Sequence, residues 1–480
     1  MAGIVSCAAY IPFNRLSRDE LGRAWGKPSL GGEKAVVNFD EDSLTMAVAA
    51  ASEALRGVDK SKVGSLFFAT TTSPYKEKQA AAIIAAALDL PSSVRTQDIT
   101  GSLRSGTTAL GLALDSVKSG SVELALVVAS DCRLGTPQSD FEAWFGDGAA
   151  ALVVGNSGVI AAVEGDRSVR SEFLDQWRGE GDFLHDSDLL LRSWEDRPAL
   201  LAGYTASMRE AVSALLKEKG VSPKDLSRVV VSAPTARSHS ELVRALGFDP
   251  KTQVQETLLE SVGNTGAAQA LVMLASALER AKAGDRLLLA NYGDGADAFL
   301  LKVTEEIGKR QVGKGVGKLL ATKKMLSSYE KYLAFRNLVP VEPARLPGPP
   351  APSAMVLWRR RKEILGLYGG KCRACGTTQY PPQRVCVQCQ AKDQFDDYKF
   401  ADKQGQLFTF CLDYVTSPSP DPPTAYCWVD FEGGARIVSP MTDFTPEEIK
   451  VGMTIEMTFR RFQQKDGISN YFWKCRPVRS

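Results

Sequence analysis

Two kinds of apolar spacing organise this chain. Up to about residue 305, short and nearly unbroken apolar runs alternate with segments whose apolar positions recur every three to four residues. The runs Val63–Thr70, Glu123–Ala129 and Ala149–Val154 have few polar positions on either alternating set, the pattern of strands covered on both faces. Between and before them, Asp40–Leu55, Ala80–Leu88 and Thr107–Val117 carry helical spacing and many alanines. The same order then returns, with a helix at Ala206–Lys219, a strand at Arg228–Ser232, a helix at Ala267–Ala283 and a strand at Arg286–Ala290. Beyond residue 396 the pattern changes to short alternating strands: Gly405–Tyr414, Ala425–Phe431, Ala435–Pro440, Thr454–Phe459 and Tyr471–Pro477. Five such strands with turn residues between them predict a small barrel.

Two local matches mark the repetition in the first part. Val58-Asp-Lys-Ser-Lys-Val-Gly-Ser-Leu66 parallels Val221-Ser-Pro-Lys-Asp-Leu-Ser-Arg-Val229, and Gly146-Asp-Gly-Ala-Ala-Ala-Leu-Val-Val154 parallels Gly293-Asp-Gly-Ala-Asp-Ala-Phe-Leu-Leu301. Their common order predicts two related α/β halves, 1–157 and 158–305. A basic connector, 306–352, ends in the proline-rich Pro347–Pro352. A short helix and a cysteine cluster fill 353–395, the Arg359–Lys362 run reading as a solvated face, and the barrel fills 396–480.

Length and charge narrow the function classes. A chain of 480 residues exceeds one ordinary core, so several domains are expected. A net charge of +2, from 58 Lys+Arg against 56 Asp+Glu, is no footprint for nucleic acid. No apolar run reaches membrane-spanning length, and the N-terminus lacks the pattern of a secretion signal. Nine cysteines, four of them tightly spaced, suit a reducing, cytoplasmic setting.

Cys372-Arg-Ala-Cys375 and Cys386-Val-Gln-Cys389 form two C-x-x-C knuckles ten residues apart. Two such knuckles complete a four-thiolate cage that holds structural zinc, with iron as the competing metal. Four protein ligands leave no open position for catalysis. Cys132, Cys411, Cys427 and Cys475 fall in strands or strand ends and read as buried thiols.

At this point a resemblance comes into view. Residues 1–305 resemble the 3-hydroxy-3-methylglutaryl-CoA synthase branch of the thiolase superfamily. It is carried by Gly3-Ile-Val-Ser6, Asp40-Glu-Asp-Ser-Leu-Thr-Met46, Asp175-Gln-Trp-Arg178, Val262-Gly-Asn-Thr265 and Asn291-Tyr-Gly-Asp-Gly295. Residues 353–480 resemble the rubredoxin-like zinc ribbon and OB-fold domain that accompanies many thiolase-like enzymes. The resemblance implies a duplicated thiolase-like fold, an acyl-CoA substrate with coenzyme A as part of it, and a homodimer or a complex with another thiolase-like subunit.

It also exposes departures. In Leu103-Arg-Ser-Gly-Thr107, Leu103 stands where the family has its nucleophilic cysteine. Thr71 follows Ala69-Thr70 where the family has a catalytic glutamate, and Ser232 stands where it has a histidine before a proline. The two histidines, His185 and His239, fall elsewhere. Asn264, which in the family helps hold a thioester or ketone oxygen, is kept.

Leucine cannot attack a thioester, so acyl transfer through an enzyme-bound intermediate is disfavoured. A one-residue shift would bring Ser102 to the spot, but serine needs a base that the missing histidine would have supplied. Aldol or retro-aldol chemistry on a β-hydroxyacyl-CoA needs no covalent intermediate, only a base and donors to the developing enolate oxygen. Candidate proton carriers are Asp294 and Tyr292 in the glycine loop, with Tyr75 and Tyr204 weaker. Against these stand a turn carboxylate for Asp294 and a packed, bonded phenol for Tyr292. Gly293 and Gly295 of that loop, and Arg237 through a CoA phosphate, are the candidate coenzyme-binding positions, Arg237 reading equally as a surface arginine. The alternatives to an aldolase are a synthase-type or thiolase-type acyltransferase and a non-catalytic acyl-CoA-binding scaffold.

Overall fold

The computed structural model describes residues 1–28, 30–179, 190–193, 197, 199–309, 313–340, 353–415, 419–465 and 467–479. His185 and the proline-rich Pro347–Pro352 stretch lie outside them. The chain divides into two compact units. The first comprises Met1–Val37, Asp42–Ala85 and Leu90–Tyr329; the second comprises Asn38–Glu41, Ala86–Asp89 and Glu330–Ser480.

One nine-stranded sheet runs through the first unit. Its strands are β1 (Gly3–Tyr10), β2 (Val63–Ala69), β3 (Arg95–Ile99), β4 (Leu124–Asp131), β5 (Gly148–Gly155), β6 (Ala161–Arg170), β7 (Arg228–Val231), β8 (Arg286–Tyr292) and β9 (Gly295–Val303), in the order β7-β8-β9-β6-β1-β5-β4-β2-β3. The duplication is visible in this order. Antiparallel β1–β5 and β5–β4 and parallel β4–β2 are matched by antiparallel β6–β9 and β9–β8 and parallel β8–β7. The two halves meet at β1 and β6, so they share one continuous sheet.

Local chemistry explains the principal helices. α1 (Ser43–Ala54) starts later than the acidic stretch predicted, because Asp42 caps it: its Oδ1 accepts the Thr45 amide at 2.9 Å while Thr45 Oγ1 accepts the Asp42 amide. α2 (Ala80–Leu88) occupies its expected residues. α3 (Ser105–Lys118) and α6 (Gln269–Arg280), the latter entered through a 3₁₀ turn, bury most of their small and aliphatic side chains in the shared core. α4 (Ala206–Lys219) ends on a left-handed Gly220, and α5 (Ala236–Ala245) follows β7.

The stretch expected as a connector is a finding of its own. Lys324–Met325 pairs in parallel with the strand Asn14–Ser17, and Val316–Ala321 is helical. Residues up to Tyr329 therefore belong to the first unit, because ladder hydrogen bonds and a buried Val316 tie them there.

In the second unit the expected helix at 353–367 is two short ones, Ala354–Arg359 and Arg361–Gly366, and Arg359–Lys362 are exposed. Trp473 Nε1 donates to Leu365 O at 2.8 Å and fixes the second helix to the barrel. β10 (Tyr368–Cys372), β11 (Thr378–Gln379) and β12 (Phe395–Lys399) form the ribbon sheet. The barrel strands are β13 (Gln404–Asp413), β14 (Thr424–Asp430), β15 (Arg436–Pro440), β16 (Thr454–Lys465) and β17 (Ile468–Pro477), in the order β15-β14-β13-β16-β17. The Thr442 amide donates to Cys475 O at 2.9 Å and draws the two edge strands together. Among the barrel thiols Cys427 and Cys475 are buried, whereas Cys411 is exposed, because it sits on the outward-facing set of β13.

Candidate active site and metal centre

In the first unit a cavity of about 150 Å³ opens at the C-terminal ends of the parallel strands β7 and β8, the end where open α/β sheets take their ligands. Leu103, just before α3, Phe141 and Trp144 of the short helix Asp140–Trp144, and Phe145 form part of its apolar wall. Leu200 and Tyr204 come from a π-helical turn, Ala199–Thr205, that leads into α4. The polar lining includes Asp175, Gln176, Ser232, Asn264, Asn291 and Tyr292.

Tyr292 ends β8, and its phenol donates to Asp175 Oδ2 at 2.7 Å. Burial first, then the Asp175 hydrogen bond and charge and the Asp294 charge, push this phenol far above its ordinary range, so it stays protonated at any working pH. Tyr204 packs edge-on against Tyr292, with ring centroids 5.5 Å apart, and donates to Ser232 O at 3.0 Å; burial raises its phenol as well. Ser232 Oγ donates to Asn291 Oδ1 at 2.6 Å, and Asn291 Nδ2 in turn reaches Leu103 O at 3.2 Å. The backbone of Asn264 is held by Trp144 O and by the Gly146 amide, at 2.7 and 3.1 Å. Its Oδ1 accepts the Gly266 amide at 2.9 Å, which leaves Nδ2 as the unused donor of that side chain.

The cavity thus brings together Tyr292, Asn264 and Ser232 and adds Asp175, which no sequence pattern singled out as a site residue. Other expectations fall outside its lining. Asp294 is exposed at a turn with φ 48°, its carbonyl accepting the Ser171 amide, so its carboxylate faces solvent and not the cavity. Gly293 and Gly295 are glycines for packing reasons. A Cβ on Gly293 would lie 2.6 Å from the Arg104 amide nitrogen, and one on Gly295 2.0 Å from Val169 O. Ser102 is half-buried, its Oγ near the Arg104 amide at 3.4 Å, and among the described residues it hydrogen-bonds neither a histidine nor a carboxylate. Arg237 is 89% exposed and paired with Glu241 one helical turn away. His239 is buried on α5, where burial pulls its imidazole down to about 4 and keeps it neutral. Tyr75 does not line the cavity.

Where the resembled family has its glutamate, a threonine cluster closes on a buried carboxylate. Asp131 accepts from Thr70 Oγ1, the Thr71 amide and hydroxyl, Thr72 Oγ1 and the Ala267 amide, all at 2.7–2.9 Å. With five donors, this carboxylate ties the threonine turn to the start of the 3₁₀ turn before α6. Beside it, Arg133 is buried; its Nη2 donates to Gln176 Oε1 at 3.1 Å and its guanidinium lies 4.1 Å above the Phe145 ring. Burial pulls this guanidinium down to about 10, still charged at neutral pH.

In the second unit the sulfurs of Cys372, Cys375, Cys386 and Cys389 all lie within 4.8 Å of one another, with Cys372–Cys389 at 3.7 Å and Cys375–Cys386 at 3.6 Å. A tetrahedron with Zn–S bonds of about 2.3 Å has edges of roughly 3.8 Å. The donor set therefore fits a closed zinc site. A bound zinc would lock the two knuckles together.

Fold and cavity define a thiolase-type α/β protein with Leu103 on the cavity wall, which carries a zinc ribbon and an OB-fold barrel. Residues 216–302 match the family described as 3-oxoacyl-[acyl-carrier-protein] synthase III C terminal. Residues 365–396 match the ChsH2 rubredoxin-like zinc ribbon domain, and 398–460 the ChsH2 C-terminal OB-fold domain. A hydroxymethylglutaryl-CoA synthase of Pyrobaculum arsenaticum is 32% identical over 351 residues, covering 70% of this chain and 98% of that protein. One from Methanocaldococcus jannaschii is 30% identical, covering 64% and 91%. The chain belongs to the hydroxymethylglutaryl-CoA synthase family. In fold it is similar to MvaS in complex with 3-hydroxy-3-methylglutaryl coenzyme A, with TM-score 0.60, 23% identity, and 72% of this chain and 95% of that one covered. It is also similar to 3-oxoacyl-[acyl-carrier-protein] synthase III from Aquifex aeolicus, with TM-score 0.55, 24% identity, and 63% and 100% covered. Among the described residues no helix is long and apolar enough to cross a membrane.

Proposed function

We propose that this protein is a cytoplasmic acyl-CoA carbon–carbon bond enzyme, an aldolase or retro-aldolase acting on a β-hydroxyacyl-CoA without an acyl-enzyme intermediate. The observation that carries this reading is the Asp175–Tyr292 pair, 2.7 Å apart, in a cavity lined by Leu103, the position at which the family resemblance implies a cysteine. Asp175 accepts the proton of the substrate β-hydroxyl. As the bond between the α and β carbons breaks, the β carbon becomes an aldehyde or ketone, and the electron pair moves onto the thioester as an enolate. Asn264 Nδ2 donates to that enolate oxygen, and the proton held by Asp175 passes to the α carbon, which releases the shorter acyl-CoA and restores the carboxylate. Tyr292, held protonated, keeps Asp175 oriented. The reverse sequence is an aldol addition.

The acyl end of the substrate sits in the cavity and coenzyme A extends outward from it. Arg237 is a candidate for its phosphates, because an exposed pairing such as that with Glu241 is weak and gives way to a phosphate. A homodimer, or a complex with another thiolase-like subunit, completes the proposal, and zinc has a purely structural part.

The second reading is a condensation like that named for the relatives, favoured by 32% identity over nearly their whole length. A non-catalytic acyl-CoA-binding scaffold is the third. Incubation of the full chain with a series of β-hydroxyacyl-CoA thioesters, 3-hydroxy-3-methylglutaryl-CoA included, separates them. Release of an aldehyde or ketone with a shorter acyl-CoA supports the aldolase. Covalent label from an acyl-CoA supports acyl transfer, and binding without turnover supports the scaffold.

A further inference from the structure

Arg133 presents an electrostatic puzzle. Its side chain is buried and charged; the carboxylates of Asp131 and Asp175 act on it favourably through space, but among the described residues neither pairs with it directly, and its Nη1 is buried without a hydrogen-bond partner. A buried guanidinium with an unmade hydrogen bond is costly, and the nearby carboxylates offset that cost only in part. The one hydrogen bond it makes through Nη2 goes to Gln176 Oε1, and Gln176 is part of the cavity wall.

That bond fixes which way the Gln176 amide points. Arginine has donors only, so the atom facing it must be the amide oxygen, and Nε2 is left as a donor without a protein partner among the described residues. The same logic applies to Asn264. The Gly266 amide is donor-only, so Oδ1 faces it and Nδ2 is left over. Both carboxamides therefore have their oxygens tied back to protein donors, and both line the cavity. The two anchors touch each other: a Cβ on Gly266 would lie 2.8 Å from Arg133 Cδ. Gln176 is also next in sequence to Asp175, and its backbone N–H donates to Asp175 Oδ1 at 2.7 Å.

We infer that Gln176 is a second donor to the negative oxygen of an enolate in this cavity, paired with Asn264 and held in donor orientation by Arg133. Gln176 is the binding residue and Arg133 a positioning residue, whose charge polarises the amide and favours negative charge in front of it. The inference deepens the proposed function and rests on it only in expecting a thioester enolate.

The test uses acetoacetyl-CoA, whose enolate absorbs in the near ultraviolet, and a CoA thioether lacking the carbonyl. The wild-type chain stabilises the enolate band on binding. Gln176→Met weakens enolate binding by about tenfold or more, while thioether affinity stays within about twofold. Arg133→Met gives a similar loss, Arg133→Lys a smaller one, and the Arg133→Met/Gln176→Met double variant loses little more than either alone. The inference is overturned if wild type shows no enolate band, if Gln176→Met binds enolate like wild type, or if the two losses add. Should Arg133→Met not fold, Gln176→Met decides alone. Because this readout needs no turnover, failure to cleave any β-hydroxyacyl-CoA would sink the aldolase reading and leave the donor pair standing.

Discussion

Tyr292 donates its phenol to a carboxylate oxygen of Asp175 across 2.7 Å and 117 positions of sequence. The bond joins the end of a core strand to an irregular segment ahead of the short strand Gln176–Trp177. It is a contact of the fold, not of the local sequence, and the proposed proton transfer depends on it.

Replacing Asp175 by Asn removes the base and keeps the shape. Turnover of a cleaved β-hydroxyacyl-CoA is expected to fall by about 10²-fold or more, with little change in thermal stability. Asp294→Asn, on the exposed turn, is expected to leave turnover unchanged. Steady-state assays of the two variants side by side check this; equal losses would remove Asp175 from its role.

Metal analysis of the purified chain is expected to find one zinc per chain. Cys386→Ser, at a buried ligand position, is expected to lose it and to unfold the ribbon, since a closed thiolate cage contributes its binding energy to folding. Zinc content and limited proteolysis near residues 372–389 report the outcome. Full zinc retention would contradict the site.

The second unit contains a buried ionic cluster in which Arg460 bonds Glu41 and Asp443 and lies 3.8 Å from Asp40. Arg460→Met strands these carboxylates, and a loss of about 3–5 kcal/mol in the unfolding of this unit is expected. Burial works to raise the Asp443 carboxyl, but Arg460, Arg476 and Arg479 outweigh it and hold it below its usual range. A lowered folded-state value stabilises above the unfolded value of about 4 and loses that contribution as pH falls further. Denaturant titrations from pH 7 to pH 3 are expected to show this decline in wild type and a smaller one in Arg460→Met.

Much of the fold was legible because its causes are local or periodic. The apolar runs announced strands covered on both faces, and the repeated Gly-Asp-Gly turns announced the duplication now visible as mirrored strand order. The cysteine spacing announced the sulfur cluster, because two knuckles are a local geometry. The site was harder. Asp147 and Asp294 occupy the same turn motif, but Asp147 is buried with Oδ2 accepting the Val37 amide at 2.8 Å, while Asp294 faces solvent. Identical local sequence could not tell them apart. Asp175 lay in a stretch that carried the family resemblance, yet its pairing with Tyr292 is long-range. Gln176 lay in that same stretch without being singled out, and Arg133 gave no signal, since neither its type nor its spacing is unusual.

The most direct test follows the peptide that spans Ser102 and Leu103 during turnover. After a rapid acid quench with substrate present, peptide mass spectrometry is expected to find it unmodified while the shorter acyl-CoA accumulates. An acyl group carried on Ser102, formed and discharged at the rate of product release, would contradict the account.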